Sequence, residues 1–360
     1  MQKDRRRFAP SRFGGLTLVA MPGFKAVAKQ LKLLIEGMAD DGMHHPTSVD
    51  IAYPNCGKHQ NREPFNSLSE RHIVGHDCFV LTSGPGNPNR LVNTWATLNS
   101  VAGLEASRAT LVAPYLFLTR SDKREKRDFA LVGWLIRMTV AAAQGILNKI
   151  LGVNLHSRQQ EALGPKDGFV TEVSALPLLL KQALRDGGTE RTVLMYTDAG
   201  ARDRFKPAVE KVETELGIKL PRIWGDKERA DSFTSECVGV YGDVKSVSGA
   251  RVLLIDDEAA SCGTLIKAAS FVKEHLGAAS CVGVVIHAVL CGKAPELLLE
   301  PECPLDHLYV TDTIPLKTRL GLNDLLRSSK ITVVTWINMM AEIIYCLHWL
   351  ESIDRFKDLK

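Results

Sequence analysis

Short apolar runs alternate along this chain with longer stretches in which apolar residues recur roughly every three or four positions. A continuous apolar run of about four to eight residues is typical of a strand buried on both faces, and the longer recurrence is typical of an amphipathic helix. The strand-like runs are Leu16–Ala20, Cys78–Leu81, Thr110–Ala113, Thr192–Tyr196, Val252–Ile255, Val282–His287 and His307–Val310. Their alternation with helical stretches predicts an α/β fold of mainly parallel sheets flanked by helices.

The chain has 360 residues, which is long for one hydrophobic core because a domain usually holds about 100–200 residues. The apolar pattern stops at the polar stretch Gly164–Gly168 and is fully re-established from about Val173. We therefore expect an N-terminal domain over residues 1–165, a C-terminal domain over 166–330, and a terminal strand and helix over 331–360 that could pack back on the N-terminal domain. Two polar, turn-rich segments, Tyr53–Glu70 and Trp224–Glu236, predict long loops.

Composition excludes several classes of protein. The 45 basic and 41 acidic residues give a formal charge of +4, too balanced for a strongly basic domain that holds nucleic acid without regard to sequence. The eight cysteines contain no CxxC pair, which argues against structural zinc and favours reduced thiols in a cytoplasmic compartment. The segment Ile331–Leu350 approaches the length of a membrane span, but it divides into a predicted strand, Ile331–Trp336, and an amphipathic helix from Asn338. We predict no membrane segment.

The segment Arg251–Thr264 carries the sharpest chemical signal. An apolar run ends in Asp256 and Asp257, and a loop of small residues leads into a helix predicted from about Leu265. The backbone N–H groups of such a loop can converge on a phosphate, and carboxylates can accept hydrogen bonds from sugar hydroxyls. A strand, an acidic turn and a helix capped by Ser261 would show the same pattern, so a structural role stays open. The segment resembles the phosphoribosyl-diphosphate motif of the type I phosphoribosyltransferase fold.

Further motifs occur in the order in which one enzyme family has them. They are Thr82-Ser83-Gly84-Pro85-Gly86 with Asn89, Pro114-Tyr115 leading to Arg120-Ser121-Asp122-Lys123-Arg124, Asn154-Leu155-His156, Thr197-Asp198-Ala199-Gly200, Lys227-Glu228-Arg229, Gly242-Asp243-Val244 and Thr311-Asp312-Thr313-Ile314-Pro315. On these motifs the chain resembles the ribose-phosphate diphosphokinases, the phosphoribosyl pyrophosphate synthetases, from about Leu16 to the final helix. The resemblance implies two type I phosphoribosyltransferase-like domains, the N-terminal one on the nucleotide side and the C-terminal one carrying the ribose phosphate loop.

The resemblance also implies an enzyme that transfers the diphosphoryl group of ATP to the C1 hydroxyl of ribose 5-phosphate, with Mg²⁺ as its metal. It implies catalytic roles for Lys227 and Arg229, and metal ligation by His156 and Asp198. The residues implied to bind ATP are Arg120, Asp122, Lys123, Tyr53 and Asn55, the last two from a neighbouring subunit. Those implied to bind the ribose phosphate are Asp256, Asp257, Ser261, Cys262, Gly263 and Thr264. Family members form dimer-based rings, often hexamers, so we expect a homo-oligomer.

The residues alone leave plainer interpretations open. The charges at Lys227–Arg229 could be a solvated cluster, and Arg120–Asp128 could be the start of a solvated helix. A lone His156 after a buried strand is more often structural than a ligand. Tyr53 could simply pack at the end of a strand.

Four positions depart from the family pattern at the implied site, and they leave the acceptor less certain than the reaction. They are Asn154, Ala201, Ser121, and Ala260, where the family usually has an Asp. Three functions therefore compete: a diphosphokinase acting on ribose 5-phosphate, the same chemistry on a larger acceptor such as ADP-ribose, and a non-catalytic regulatory homologue. Lys227 and Arg229 speak against the third, since a silent relative has no need of two transition-state cations. A plain phosphoribosyltransferase would not need the nucleotide segment.

Overall fold

The computed structural model of this chain describes residues 11–41, 44–68, 72–85, 87–123, 129–229, 235–317, 319 and 321–358, with the backbone alone at 40–41, 226–229 and 235–238. Gly86 and Arg124, which belong to two of the motifs, lie outside the described residues. The chain divides into two compact units. Unit 1 comprises Met1–Glu172 and Ile337–Lys357, and unit 2 comprises Val173–Trp336 and Asp358–Lys360.

Unit 1 is an α/β unit in which strands and helices alternate. Its strands are β1 (Leu16–Ala20), β2 (Val49–Ala52), β3 (Pro54–Lys58), β4 (Pro64–Leu68), β5 (Asp77–Leu81), β6 (Arg108–Val112), β7 (Leu147–Val153) and β8 (Val170–Val173, whose last residue falls in unit 2). Its helices are α1 (Lys25–Gly37), α2 (Pro88–Gly103), α3 (Val132–Ala142) and α9 (Ile337–His348). The last helix of the chain therefore belongs to the unit formed by its first half.

The main sheet of unit 1 has the strand order β2-β1-β5-β6-β7-β8, and the pairs from β2 to β7 are parallel. Strands β1, β5 and β6 are buried along their whole length, and most of their residues are therefore apolar. The exceptions include Asp77 and Arg108, the charged first residues of β5 and β6. Helices α2 and α3 cover one side of the core through Leu98, Val101 and Leu135.

Unit 2 repeats the alternation of strand and helix. Its strands are β9 (Thr192–Tyr196), β10 (Arg222–Arg229), β11 (Ser235–Gly242), β12 (Arg251–Glu258), β13 (Ser280–His287), β14 (His307–Thr311) and β15 (Ile331–Val334). Its helices are α4 (Leu176–Gly187), α5 (Ala199–Leu216), α6 (Gly263–Leu276), α7 (Ala294–Leu299) and α8 (Asn323–Arg327).

The sheet of unit 2 has the order β11-β10-β9-β12-β13-β14-β15 and is parallel except for the β10–β11 pair. Its central strands β9 and β12 carry buried Leu194, Leu253 and Leu254, so that both faces of the sheet are covered. The α/β class of parallel sheets flanked by helices, predicted from the sequence, is confirmed.

The prediction of two long loops is wrong. Tyr53–Glu70 contains the antiparallel pair β3–β4, and Trp224–Glu236 contains most of β10 and the start of β11. These strands are polar because a hairpin satisfies its backbone by pairing and need not bury its side chains, so the apolar signal of a strand is missing.

The terminal segment is interpreted correctly as a strand followed by a helix. Strand β15 covers Ile331–Val334, and α9 begins at Ile337. Among the described residues, no helix combines the length and the apolar character that crossing a bilayer needs.

Candidate functional site

In unit 2 the predicted site residues follow strands that end at one edge of one sheet. Tyr196 at the end of β9 pairs with Ile255 of β12, directly before Asp256. On the other side Tyr196 pairs with Trp224 of β10. Because these strands are parallel, their carboxyl ends point the same way. The edge therefore brings together the segment after β9, the acids at the end of β12 and the far end of β10.

The loop from Ser261 to Thr264 forms the start of α6, as a phosphate-binding loop requires. The helix begins at Gly263, and the preceding Cys262 adopts a left-handed backbone with φ of 62°. Ser261 and Thr264 are exposed, and the Ser261 hydroxyl oxygen accepts the Gly263 N–H at 3.5 Å. Unpaired N–H groups of a helix's first turn, together with its dipole, favour an anion. Burial raises the pKa of the Cys262 thiol to about 12, so it adds no negative charge to this loop near neutral pH.

The segment before the loop is held by main-chain hydrogen bonds to the residues that follow β13. Leu290 donates its N–H to the Ala259 carbonyl at 2.7 Å, and Cys291 donates to the Ala260 carbonyl at 2.9 Å. The Arg319 guanidinium in turn donates to the carbonyls of Ala288, at 2.9 Å, and Leu290, at 3.2 Å. Sequence reasoning missed Arg319, since no local pattern links it to a loop about sixty positions earlier in the chain.

The two acids at the end of β12 have different surroundings. Asp256 is half-buried, and its carboxylate accepts the Asp257 N–H at 2.9 Å. Asp257 is buried and forms an ion pair with Arg204 of α5, with 3.1 Å between Nη2 and Oδ1 and 3.4 Å between Nη1 and Oδ2. Arg204 is a second residue that sequence reasoning missed; its only sequence signal is its position six residues after Asp198 on a predicted helix.

Asp198 is the N-cap of α5. One carboxylate oxygen, Oδ1, accepts the Ala201 N–H at 2.8 Å, an arrangement that satisfies one of the first N–H groups of the helix. Ala201, which departs from the family's glycine, is buried and lies in the first turn of the helix. Asp198 itself is half-buried, as a residue at a binding edge should be.

The two predicted metal ligands lie in different units, His156 in unit 1 and Asp198 in unit 2. Across the described part of the chain, no three or more His, Cys, Asp or Glu side chains group together as a metal cage. Mg²⁺ usually keeps several waters and is held by one or two carboxylates together with substrate phosphates. The Asp198 carboxylate, half-buried at the edge of the unit 2 sheet, is a donor of this kind.

Lys227 and Arg229 lie on β10, in the antiparallel hairpin at the edge of the unit 2 sheet. Lys227 pairs with Cys237 and Arg229 with Ser235, after a register shift between Asp226 and Lys227. Lys227 is three residues beyond Trp224, the residue level with the end of β9, which is about 10 Å along an extended strand. The hairpin thus projects from the same edge that carries the acids; the side chains of both cations lie outside the described part of the structure.

In unit 1, three motifs also gather at the carboxyl edge of the sheet. Gly84 donates its N–H to the Tyr115 carbonyl at 2.8 Å, and Tyr115 donates to the Ser83 hydroxyl at 3.2 Å. A Cβ on Gly84 would come within 2.5 Å of the Tyr115 ring, so the close approach requires glycine. The His156 N–H is 3.4 Å from the Thr119 hydroxyl, next to the exposed Arg120. The turn after β5, the nucleotide segment after β6 and the motif after β7 are therefore neighbours.

Tyr53 and Asn55 are not brought to this group along the sheet. Tyr53 follows β2, and strands β1 and β5 intervene between β2 and β6. The Lys25 ammonium lies 5.4 Å from the centre of the Tyr53 ring, and Asn55 is exposed on β3. Of the nucleotide residues, Asp122 is half-buried and Lys123 is exposed.

Comparisons with known proteins show which proteins this chain is similar to. The profile of a family described as the phosphoribosyl synthetase-associated domain matches residues 218–357. A ribose-phosphate pyrophosphokinase of Marinomonas sp. (strain MWYL1) is 32% identical over 298 residues, 82% of this chain and 88% of the relative. One of Nitrosomonas europaea is 28% identical over 291 residues, 79% of this chain and 86% of the relative.

A solved structure shares the fold. The crystal structure of phosphoribosylpyrophosphate synthetase from Mycobacterium smegmatis superposes with a TM-score of 0.71 at 23% identity. The match covers 93% of this chain and 99% of that chain, so both α/β units are included.

Proposed function

This chain belongs to the ribose-phosphate pyrophosphokinase family, and we propose that it transfers the diphosphoryl group of ATP to the C1 hydroxyl of ribose 5-phosphate, producing phosphoribosyl pyrophosphate and AMP. The observation that carries the proposal is the single edge of the unit 2 sheet described above. This edge combines an acid pair, a small-residue loop at a helix N-terminus and a hairpin with two cations. These are the parts needed to hold a sugar phosphate and to stabilise a migrating diphosphoryl group.

The acceptor is held at the loop between β12 and α6. The exposed hydroxyls of Ser261 and Thr264 and the first N–H groups of α6 face the 5-phosphate, while Cys262 and Gly263 shape the turn. The carboxylates of Asp256 and Asp257 accept hydrogen bonds from the ribose hydroxyls. This orientation leaves the C1 hydroxyl towards the hairpin.

ATP is held by the segment after β6. Arg120 and Lys123 contact phosphates, and Asp122 accepts a hydrogen bond from the nucleotide. Tyr53 and Asn55 complete the adenine pocket from a neighbouring copy, so the active protein is a dimer-based homo-oligomer, such as a hexamer. Two intervening strands between β2 and β6 support a contribution from another copy over one within the chain.

His156 and Asp198 hold Mg²⁺ with the nucleotide. The ion neutralises phosphate charge when it is bound. Lys227 and Arg229 close over the transferring group, where the planar fork of the arginine and the point charge of the lysine stabilise charge that spreads in the transition state. Catalysis then depends on positioning the two substrates and on stabilising charge, because phosphoryl transfer needs little covalent participation by protein side chains.

The chain works in a reducing, cytoplasmic compartment. Within the described residues Cys56, Cys78, Cys262, Cys281, Cys291, Cys303 and Cys346 are free thiols, as expected where disulfides do not persist.

The proposal is tested by mixing the purified chain with Mg²⁺, ATP and one acceptor at a time, and measuring AMP release. We expect AMP with ribose 5-phosphate and none above background with ADP-ribose. AMP formed only with ADP-ribose would refute the assignment of ribose 5-phosphate as the acceptor. AMP formed with neither acceptor would refute the proposed reaction and favour a regulatory homologue.

Replacing the hairpin lysine should separate catalysis from binding. We expect Lys227→Ala to lower turnover by about 10³-fold or more, because a transition-state cation is lost, and to leave ATP affinity within about threefold. Lys245→Ala, at an exposed position after the hairpin, serves as the control with unchanged turnover. Steady-state AMP release and equilibrium ATP binding measure the two effects. Turnover like that of the wild type in Lys227→Ala would refute the assigned role.

A further inference from the structure

The ion pair between Arg204 and Asp257 joins a helix to the acidic end of a strand. Both guanidinium arms of Arg204 reach the carboxylate, at 3.1 and 3.4 Å, in the forked geometry that arginine makes with acids. The pair is well shielded, because the side chains are only 14% and 8% exposed. Arg204 also lies over the ring of Phe205, 4.4 Å from guanidinium carbon to ring centre, and Phe205 is fully buried.

The helix that carries Arg204 also carries Asp198 at its start. Helix α5 begins at Ala199, so Arg204 lies within its first two turns, on the part of the helix nearest the binding edge. Since Asp198 caps the same helix, the orientation of α5 sets the positions of Asp198 and Arg204 together. Asp257 is thereby tied to α5 rather than held only by its own strand.

Charge gives this tie a further consequence. Three consecutive acids, Asp256, Asp257 and Glu258, end β12, and the acceptor brings a phosphate to the adjoining loop. Like charges this close repel one another, and a shielded site screens them weakly. Arg204 offsets the charge of Asp257, the one of the three carboxylates that is buried.

Resting on the proposed function, we infer that Arg204 is a positioning residue that acts through Asp257 to set the affinity for ribose 5-phosphate. It holds the Asp257 carboxylate in one rotamer and so fixes the direction from which the sugar hydroxyls can donate to it. It touches neither the nucleotide nor the transferring group in this scheme. Loss of Arg204 should therefore weaken the binding of ribose 5-phosphate and leave the binding of ATP nearly unchanged.

The test compares Arg204→Met, which keeps the length of the side chain, with Arg204→Lys, which keeps its charge. We expect Arg204→Met to raise both the KM and the calorimetric Kd for ribose 5-phosphate about tenfold or more, the effect of one charge-assisted hydrogen bond. The KM for ATP should stay within about threefold, and Arg204→Lys should restore most of the loss. Lys206→Met, an exposed position on the same helix with its ammonium 4.0 Å from Glu210, is the matched control.

A double-mutant cycle separates positioning from a general structural role. In an Asp257→Asn background, Arg204→Met should change ribose 5-phosphate binding by no more than about twofold, because the partner through which it acts is gone. Thermal melting shows which variants fold. Equal losses for ATP and ribose 5-phosphate, additive effects in the cycle, or unchanged binding in Arg204→Met would each overturn the inference. Wild-type protein that binds ribose 5-phosphate but releases no AMP would overturn the proposed reaction instead, and calorimetry would still decide the role of Arg204.

Discussion

Ala260 occupies the point of the phosphate loop at which the family usually has a carboxylate. Its side chain is half-buried, and its carbonyl accepts the Cys291 N–H, so the backbone of the loop is held at this residue. The chain therefore has a shaped loop with one acid fewer to hold ribose hydroxyls. Glu258 lies two positions earlier and is half-buried, and we propose that its carboxylate partly replaces the missing one.

Restoring the acid should strengthen acceptor binding. We expect Ala260→Asp to lower the KM for ribose 5-phosphate about tenfold, because a charged hydrogen bond contributes roughly 1.5–3 kcal/mol. The KM for ATP should not change. Ala279→Asp adds the same charge at the opposite edge of the sheet, before β13, and is the control. The KM is measured from steady-state AMP release at varied concentrations of ribose 5-phosphate. An unchanged KM in Ala260→Asp would show that the acceptor hydroxyls do not lie next to residue 260.

At the scale of an element, α5 depends on Asp198 for its first turn while the proposed function asks the same residue to bind metal. The Asp198 Oδ1 atom accepts the cap hydrogen bond from the Ala201 N–H at 2.8 Å. An amide can accept that bond through its oxygen but lacks the charge that Mg²⁺ prefers. The two roles can therefore be separated by substitution.

Two variants make the separation. Asp198→Asn should keep the stability of the protein within about 0.5 kcal/mol and Asp198→Ala should lose about 1 kcal/mol, since only the second removes the cap. Both should raise the Mg²⁺ concentration needed for half-maximal AMP release by about tenfold, a typical cost of altering a metal site. Denaturant unfolding and Mg²⁺ titration measure the two properties. A normal Mg²⁺ requirement in both variants would show that Asp198 caps α5 and does not bind the metal.

At the scale of the whole molecule, the end of the chain is part of the unit that its beginning forms. Asp77 of β5 is fully buried and pairs with Arg108 of β6, whose guanidinium also donates to the Leu347 carbonyl at 2.9 Å. The His348 Nδ1 atom lies 3.0 Å from the same carboxylate. This cluster fastens α9 to the sheet of unit 1.

Removing the arginine should destabilise unit 1 specifically. Arg108→Met leaves Asp77 buried without its main cation, a change that costs about 3–5 kcal/mol. We expect faster amide hydrogen exchange in β5, β6 and α9, with exchange in β12 and β13 unchanged, as read by mass spectrometry. Arg137→Met, at an exposed position of α3, is the control. Equally faster exchange in both units would contradict a local role for the cluster.

What the sequence determined by itself is the α/β class and the placement of most motifs. A strand segment buried on both faces is mostly apolar, so β1, β9 and the middle of β12 are recognisable as apolar runs. Parallel strands then bring the residues at their carboxyl ends to one edge. The placement of Asp198, Asp256 and Lys227 at the same edge of the unit 2 sheet follows from that rule once the strand order is known.

The tertiary structure alone decided which distant residues meet. Three contacts join positions far apart in the chain. Arg204 pairs with Asp257, Arg319 donates hydrogen bonds to carbonyls that follow β13, and α9 packs in unit 1. The strands of the polar hairpins β3–β4 and β10–β11 were also not predicted from the sequence. Main-chain pairing holds these strands together, and it produces no periodic pattern of apolar residues. The local sequence pattern shows which residues of a segment must be buried. Which distant residues contact one another depends on how the buried faces pack together.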